Sequence, residues 1–391
     1  MPTKAQWPKA ASSEESDAGE PAPYPLIALV LQGGGALGSY QVGAFRALDE
    51  AGYCPHWFAG TSIGAINAAI MAGNPPEARL ERLEEFWRTV ARNIPTIASG
   101  AGVQKQAYFA LSAWQTMLLG QPGFFRPRPV SPWLAQPGAP AAVSYYDTSA
   151  LRGTLEKLVD FDRLNDGTVR LSLGAVNVRT GDQVYFDTRR QRLAPEHVMA
   201  SGALPPAFPP IEIDGEFYWD GGIVSNTPLD VIIDELPRRS TLCFMVDLFD
   251  MMGTVPMTME GVEVRRKDIT YASRSNRSIE AHRIQHNLRR AVMALWKNLA
   301  PEKQQAAHLS TLAALGCTTT MHIARILHRN EPDELSSKDY EFSAASIAEH
   351  GEAGYHDAKR ILDRAPWRDP VPPDVGVVVH DIPPDEMAAD E

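Results

Sequence analysis

Residues 57–69 read WFAGTSIGAINAA and place Ser62 between Gly60 and Gly64, at the G-x-S-x-G spacing of a nucleophile elbow. In such an elbow a short apolar strand turns sharply into a helix, and the flanking glycines leave room for strained backbone around an exposed serine. The residues before Ser62 can end a strand, while residues 63–71 are apolar enough to start a buried helix. A short glycine-containing turn would produce the same string, so a nucleophilic Ser62 depends on two further motifs.

The first of these motifs is a glycine-rich loop upstream of the elbow. Residues 26–31 (LIALVL) have the pattern of a fully buried strand, and they run directly into QGGGALG at residues 32–38. Residues 39–51 then place apolar side chains on one helical face, and Gly52 fits a C-terminal cap. A glycine loop between a strand and a helix presents backbone N–H groups at the positive end of the helix dipole. The loop therefore predicts an anion site.

Either a phosphate or an oxyanion would fit such a loop. Gly33, Gly35 and Gly38 match G-x-G-x-x-G, but a dinucleotide site also requires an acidic residue about 20 positions further on, at the end of a second strand. Asp49 and Glu50 fall inside the predicted helix instead. We therefore interpret the loop as a set of donors for the oxyanion of an acyl-transfer intermediate.

The second motif lies far downstream. Residues 201–210 read SGALPPAFPP, residues 211–219 alternate as a strand requires, and DGGIVSNTP follows at residues 220–228. Asp220 stands at the end of the predicted strand, and the two glycines after it permit a tight turn that projects the carboxylate. Taken alone, an Asp-Gly surface turn would be the commoner explanation.

Together and in this order, the three motifs resemble the patatin-like phospholipase family, whose pattern is a glycine-rich oxyanion loop, a GxSxG nucleophile and a DGA or DGG aspartate. The resemblance covers residues 25–247, and the segments GTSIGAINAA, SGALPPAFPP and DGGIVSNTP are each similar to sequences typical of the family. Many relatives have an acidic or small residue at the position of Gln32, so the hydrogen bonding behind the loop is left open. The C-terminal part resembles an extension found in a bacterial subset of the family.

The resemblance implies a three-layer αβα fold with a mainly parallel central sheet and a nucleophile elbow. It also implies that Ser62 is the nucleophile, that Asp220 is its partner, and that the amides of Gly33, Gly34 and Gly35 stabilise the oxyanion. The remaining motif glycines are Gly38, Gly60, Gly64, Gly221 and Gly222. In such a Ser-Asp dyad the carboxylate accepts the serine proton directly, so the chemistry requires no histidine, metal or cofactor.

The implied activity is the hydrolysis of acyl esters, above all the fatty acyl bonds of glycerophospholipids. Three alternatives remain open. An esterase for another hydrophobic ester, such as a storage polyester oligomer, would use the same dyad. An α/β-hydrolase would require a histidine after Asp220, and a non-catalytic lipid-binding protein would keep the fold without turnover.

The chain has 391 residues, of which 44% are hydrophobic, and a formal net charge of −11. The length and hydrophobic content predict one large core plus an appendage, and the resemblance implies a catalytic domain at residues 24–250 and a mostly helical C-terminal extension at residues 251–368. Residues 1–23 are predicted to be a disordered lead-in, and residues 369–391 a flexible acidic tail. The acidic charge argues against a nucleic-acid-binding protein.

Cysteine content and hydropathy bear on the compartment. Cys54, Cys243 and Cys317 are too few and too isolated for a disulfide framework or a thiolate zinc site, which fits a reducing environment. The N-terminal residues lack the apolar core of a signal peptide, and no apolar run approaches the ~20 residues of a spanning helix. The sequence therefore predicts a cytoplasmic protein that meets lipid from the water side, with peripheral contact at the inner membrane surface left open.

Residues 94–146 form an unusual insert between the elbow and Asp220. Trp114 and Leu118 belong to an apolar stripe at helical spacing, and a loop with aromatic and arginine residues follows at residues 122–133. Aromatic side chains beside arginines suit an anionic lipid surface, so a lid or interfacial role is one interpretation. The other is that these side chains pack as core beneath a long loop.

Residues 264–298 form a basic helical run on an otherwise acidic chain. Such a run could contact anionic head groups or an acidic partner, but a solvated helix face or a subunit contact in a homo-oligomer is equally consistent with it. His282 and His286 have i,i+4 spacing, yet no third ligand stands nearby in the sequence. We therefore predict no metal at this pair.

Overall fold

A computed structural model describes residues 24–92, 102–304, 311, 313–330 and 334–382. The predicted lead-in at residues 1–23, residues 94–101 of the insert and residues 383–391 of the predicted tail lie outside the described residues. Within the described part of the chain, no helix is long and apolar enough to cross a membrane.

The described strands and helices alternate through the first half of the chain. The strands are β1 (Leu26–Leu31), β2 (Trp57–Thr61), β3 (Arg126–Pro127), β4 (Tyr146–Asp147), β5 (Arg170–Asn177), β6 (Gln183–Asp187), β7 (Ile211–Ile213), β8 (Glu216–Asp220), β9 (Thr241–Asp247), β10 (Met321–Leu327) and β11 (Val377–His380). The α-helices are α1 (Ser39–Glu50), α2 (Ile63–Ala72), α3 (Pro76–Val90), α4 (Val103–Leu119), α5 (Ser149–Leu158), α6 (Phe161–Leu164), α7 (Pro195–Ser201), α8 (Asp230–Ile233), α9 (Met259–Lys297), α10 (Pro301–Gln304) and α11 (Ala344–Arg364).

A central sheet organises the molecule. Its strands have the order β11-β10-β9-β1-β2-β5-β8-β7, and β6 pairs with the free edge of β5. The neighbours from β11 to β5 are all parallel, whereas β6, β7 and β8 add antiparallel pairings at one end. Strand β1 lies in the middle and is apolar throughout, because helices cover both faces of a parallel sheet.

Alternate residues of β1 face two different helical layers. Leu29 and Leu31 belong to the larger core cluster, which includes residues of α1, α2, α3 and α11. Ala28 and Val30 belong to a second cluster with residues of α8 and with Ile279 of α9. This division confirms the three-layer αβα fold with a mainly parallel sheet.

The local predictions around the elbow are confirmed in position. Strand β1 and helices α1 and α2 begin and end within a residue or two of their predicted bounds. One strand was predicted wrongly, because residues 211–219 divide into β7 and β8. Asp214 and Gly215 form the turn between them with φ angles of 51° and 81°, as a tight hairpin turn requires.

The C-terminal region shares this sheet rather than standing apart from it. Strands β10 and β11 continue the sheet beyond β9, and β11 lies inside the segment predicted to be a flexible tail. Helix α11 packs directly on α1, where a Cβ atom added at Gly43 would lie 1.7 Å from the carbonyl oxygen of Gly351. The division of the chain at residue 250 stays a prediction, and one sheet runs across it.

Candidate active site

Ser62 occupies a strained turn between β2 and α2. Its backbone angles are φ 56° and ψ −126°, a conformation that non-glycine residues rarely adopt. The neighbouring glycines are required by close approach: a Cβ atom at Gly60 would lie 2.3 Å from the oxygen of Gly64, and one at Gly64 would lie 2.3 Å from the oxygen of Leu31. The sequence therefore builds a nucleophile elbow here, with a half-buried serine at its tip.

Strand pairing brings Asp220 next to this elbow. Strand β2 pairs with β5 up to the match of Thr61 with Gly174, where β2 ends. Strand β8 takes over the same edge of β5 at the next residue, where Ala175 pairs with Asp220. Strand β2 ends one residue before Ser62, and β8 ends at Asp220, beside it on the same edge of β5. The serine and the carboxylate therefore lie next to each other, although they are far apart in sequence.

The environment of Asp220 makes its carboxylate a stronger base. The residue is 1% exposed, and Oδ1 accepts a hydrogen bond from the Gly222 amide at 2.7 Å. Burial raises the pKa of Asp220 to about 7, against the opposing effect of hydrogen bonds from the Ser62 hydroxyl and the Gly222 amide. Within the described residues, Oδ2 has no hydrogen bond of standard geometry, which leaves it open to the serine proton.

No histidine lines the cavity at Ser62 in the described part of the chain, which contains every histidine except His308. His197, the nearest in sequence to Asp220, accepts a hydrogen bond from the Ala194 amide through Nδ1 at 3.0 Å and packs against the ring of Phe186. This geometry favours the dyad over a triad.

The glycine-rich loop lies against Ser62, since a Cβ atom at Gly33 would lie 2.9 Å from that of Ser62. The amide of Gly33 already donates to the carbonyl of Asn226 at 3.1 Å, and the Gly33 carbonyl accepts from the Asn226 side chain at 2.8 Å. Gly33 is thus an anchor of the loop rather than a free donor, contrary to its predicted role. Gly34 and Gly35, which have no such partner in the described structure, remain the candidate oxyanion donors.

Gln32 organises the hydrogen bonding behind the loop that the sequence left open. Its side chain accepts from the Leu248 amide at 2.5 Å and donates to the hydroxyl of Ser275 at 3.2 Å. Its carbonyl accepts from Gln41 at 2.7 Å, and Gln41 in turn accepts from Asn67 at 2.9 Å. Every one of these side chains is buried, so the network fixes the loop in place.

Ser62 and Asp220 open into a cavity of about 290 Å³. Its walls are strongly aromatic and come from both halves of the chain: Phe124, Phe125, Tyr146, Phe208, Phe249, Tyr271, Tyr340 and Phe342. The residues beyond position 250 in this wall carry no motif, and the sequence did not reveal them. A Cβ atom at Gly35 would lie 1.9 Å from the backbone oxygen of Asp339, so the C-terminal segment presses directly on the oxyanion loop.

The insert contains buried aromatic side chains and exposed ones, and its interfacial role stays a prediction. Phe124 is only 6% exposed, and its ring meets that of Phe342 edge to face, as the packing interpretation requires. Trp114 and Trp133 are 60% and 84% exposed, as an interfacial role would require. Helix α4 contributes to both surfaces, because Met117 lines the cavity while Trp114 is exposed.

The two histidines at i,i+4 spacing on α9 have separate partners. His282 bonds to the carboxylate of Asp230 at 2.7 Å, and His286 bonds to the backbone oxygen of Thr319 at 3.1 Å. The two rings therefore serve as separate anchors of α9.

Comparisons with known proteins give consistent matches. A family model described as patatin-like phospholipase matches residues 29–233, and a second, described as patatin phospholipase, matches residues 269–374. Patatin-like phospholipase domain-containing protein 6 of Mus musculus is 26% identical over 210 residues, which cover 52% of this chain and 12% of that protein. The uncharacterized NTE family protein Rv1063c of Mycobacterium tuberculosis is 26% identical over 205 residues, which cover 52% of this chain and 45% of that protein.

Among solved structures, VipD from Legionella pneumophila aligns with a TM-score of 0.40 and 17% identity, over 87% of this chain and 67% of that one. Human GIVD cytosolic phospholipase A2 aligns with a TM-score of 0.43 and 10% identity, over 88% of this chain and 59% of that one. The chain spans less than half the length of the two curated relatives that it matches.

Proposed function

Because the chain belongs to the patatin-like phospholipase family, we propose that it is a serine acyl-ester hydrolase in which Ser62 and Asp220 form the catalytic dyad. The observation that carries this proposal is the buried carboxylate of Asp220 beside a strained elbow serine, at the base of an apolar cavity. A pKa raised by burial gives the carboxylate the basicity that it lacks in water.

The reaction proceeds in two halves. Asp220 takes the hydroxyl proton as Ser62 Oγ attacks the ester carbonyl, and the amides of Gly34 and Gly35 receive the developing oxyanion. Collapse of this intermediate expels the alcohol, which takes the proton from Asp220, and leaves an acyl-enzyme. Water then attacks the acyl group while Asp220 again serves as the base. The carboxylic acid leaves, and Ser62 regains its proton.

The cavity favours a long acyl chain over a polar substrate. Eight aromatic residues line it together with aliphatic side chains, and such apolar surfaces stabilise an apolar ligand because its binding removes both from water. We propose the fatty acyl esters of glycerophospholipids as the substrate class. A storage polyester oligomer, the second candidate, would place an ester group every few atoms against these rings and leave its oxygens without hydrogen-bond donors.

A lipid surface is the proposed environment of the cavity mouth. Residues 103–145 contain no aspartate or glutamate on a chain of net charge −11, and their charged residues are Lys105, Arg126 and Arg128. The same segment exposes Trp114 and Trp133 beside the cavity. Lys105 pairs with Glu349 at 2.9 Å and Arg128 with Asp147 at 3.8 Å, so the exposed indoles, which suit the boundary between water and apolar lipid, carry the proposal of a lipid surface.

A substrate panel tests the proposed activity. Purified chain would be offered phospholipids, lysophospholipids, short-chain p-nitrophenyl esters and hydroxyalkanoate oligomers, with the Ser62→Ala variant as the matched control. Release of fatty acid from phospholipid by the parent chain alone is the expected result. Cleavage of the oligomer without cleavage of phospholipid would move the assignment to the polyester class, and equal activity in Ser62→Ala would contradict the dyad.

A further inference from the structure

The C-terminal region contains a buried cluster of two imidazoles and a carboxylate that the dyad does not use. His328 follows the end of β10, Glu334 lies in the loop after it, and His350 belongs to α11. His328 Nε2 lies 2.7 Å from Glu334 Oε1, and His350 Nε2 lies 3.5 Å from the same oxygen. Three separate elements thus direct one ligand atom each toward a common point.

We propose that His328, Glu334 and His350 bind a divalent transition-metal ion, with Zn²⁺ as the best fit. Their ligand atoms all lie within 4.8 Å of one another. Tetrahedral Zn²⁺ with bonds of about 2.0 to 2.2 Å separates its ligand atoms by roughly 3.3 to 3.5 Å. The His350 contact already has this spacing, and the His328 contact has to open by less than an ångström. Two imidazoles and one carboxylate form a ligand set that zinc favours, with water in the fourth position.

The surroundings provide a second shell. Glu334 Oε2 lies 3.3 Å from the ammonium of Lys338, which also bonds to Asp268 at 2.9 Å, so this carboxylate can bind the ion through Oε1 alone. Nδ1 of His350 lies 3.5 Å from the Ser346 hydroxyl, which helps to set the direction of Nε2. The rings of Tyr40 and His328 pack 5.1 Å apart, which limits access of water.

Charge also favours a bound cation. If both imidazoles are neutral, the buried charges of this cluster are the ammonium of Lys338 and the carboxylates of Asp268 and Glu334. One negative charge is then left without compensation. Burial of an uncompensated charge is costly, and a divalent ion bound by Glu334 would remove that cost. A proton on one imidazole is the competing solution, and the experiment below separates the two.

The position of the site gives the ion a structural role. Lys338 precedes Asp339, whose backbone presses on Gly35, and Tyr340 and Phe342 line the cavity. An ion at Glu334 would tie β10, α11 and this wall segment together. The proposal concerns binding and stability, and it stands independently of the hydrolase activity.

The test is metal binding by the full chain. After dialysis against a chelator, the protein would be titrated with Zn²⁺, and bound metal would be measured by elemental analysis together with the melting temperature. We expect one ion per chain and a rise in melting temperature of roughly 4 °C at hundredfold excess over the dissociation constant. Co²⁺ in place of Zn²⁺ should give visible d–d absorption.

Two ligand variants and one control assign the site. His350→Gln and Glu334→Gln should each weaken Zn²⁺ binding by about 100-fold or more, while circular dichroism reports whether they fold. His380→Ala, which removes one member of the separate stacked pair with His322, should bind as the parent does. Absence of stoichiometric metal, or loss of binding only in His380→Ala, would overturn the proposal and leave a protonated imidazole as the partner of Glu334.

Discussion

At the scale of single residues, the site depends on placing a strained serine next to a buried carboxylate. Ser62 has a positive φ angle and Asp220 is almost fully buried, and both features raise the free energy of the folded state. Evolution tolerates such costs where they serve chemistry, because the strain exposes the hydroxyl and the burial strengthens the base. Variants that relieve the strain at Ser62 or the buried charge at Asp220 should therefore gain stability while they lose activity.

Replacement of Ser62 tests this link between strain and function. Ser62→Ala should abolish turnover without unfolding the chain, since the half-buried hydroxyl contributes little to packing. Ser62→Gly should be equally inactive but more stable than Ser62→Ala by about 1 kcal/mol, because glycine adopts positive φ without a Cβ clash. Urea denaturation of the two variants measures the difference. Retained hydrolysis in either purified variant would show that another residue is the nucleophile.

The pH dependence should follow Asp220. Since burial raises the pKa of Asp220 to about 7, the carboxylate form that accepts the proton accumulates as the pH rises through that value. We expect kcat/KM of the parent chain to rise through about pH 7 and then level off, and Asp220→Asn to lower turnover by at least ~10²-fold above that pH, where the parent carries the carboxylate. A flat profile between pH 5 and 8 would contradict titration of Asp220 in that range, and a single histidine replacement with the same loss as Asp220→Asn would argue for a triad.

Asp220 should also influence stability, with a sign that follows from its raised pKa. Between about pH 4 and pH 7 the Asp220 carboxyl is ionised in the unfolded chain but still protonated in the folded chain. The free energy of unfolding therefore falls as the pH rises, by about 1.4 kcal/mol for each unit by which the pKa is raised. Asp220→Asn removes this loss. The variant should therefore gain stability relative to the parent between pH 4 and 8, as measured by paired urea titrations. A constant difference across this range would show that the pKa is not raised.

At the scale of the elements, α4 connects the cavity to the outer surface. Its Met117 lines the cavity, and its Trp114 is exposed together with Trp133 of the following loop. The sequence could not divide the aromatic residues of this insert into buried and exposed sets. Phe124 is buried because its ring packs near Phe342, more than 200 positions away, and no local pattern encodes that partner.

Removal of the exposed indoles should separate lipid binding from chemistry. The double variant Trp114→Ala with Trp133→Ala should bind anionic vesicles at least ~10-fold more weakly, because two large apolar groups no longer enter the interface. Hydrolysis of a soluble short-chain ester should stay near the parent value. Vesicle co-sedimentation and the ester assay measure the two effects.

Two further variants serve as controls for that experiment. Leu288→Ala with Leu295→Ala removes exposed apolar side chains from α9 and should leave vesicle binding unchanged. Phe124→Ala creates a cavity in the wall and should lower stability by roughly 3 to 5 kcal/mol, with losses on both substrates. Equal losses on vesicles and soluble ester in the indole variant would assign those side chains to packing.

The elements near the elbow were predictable because their information is local. A continuous apolar run gives β1, a 3.6-residue pattern gives α1, and closely spaced glycines identify the turns at Ser62 and Asp220. The hairpin of β7 and β8 was missed because Asp214 and Gly215 interrupt an alternation that continues on either side. The role of Gly33 could not be seen either, since its acceptor, Asn226, belongs to the turn after Asp220.

At the scale of the whole molecule, the C-terminal region completes both the sheet and the cavity. Strands β10 and β11 extend the sheet from β9, and the segment before α11 forms part of the cavity wall. Contacts between residues so far apart in sequence form only when the chain folds, and no local spacing of residues in the sequence predicts them. We therefore predict that the shape of the cavity depends on the packing of α11 against α1.

This coupling predicts opposite outcomes for two helical glycines. Gly43 lies where α1 and α11 meet, and a Cβ atom there would lie 1.7 Å from a backbone oxygen, so Gly43→Ala must push the helices apart. Gly153 lies on the exposed face of α5 with no atom within 4 Å of its added Cβ atom. We expect Gly43→Ala to lower the free energy of unfolding by several kcal/mol, and Gly153→Ala to raise it by about 0.5 to 1 kcal/mol, since alanine favours helix.

Gly43→Ala and Gly153→Ala should also differ in activity. Because α11 follows directly on the wall segment with Tyr340 and Phe342, displacement of α11 in Gly43→Ala should widen the cavity and raise KM for a long-chain ester more than for a short one. Gly153→Ala should keep the parent KM values for both the long-chain and the short-chain ester. If Gly43→Ala were as stable and as active as the parent, the C-terminal region would be an independent appendage, and the cavity would not depend on its contact with α1.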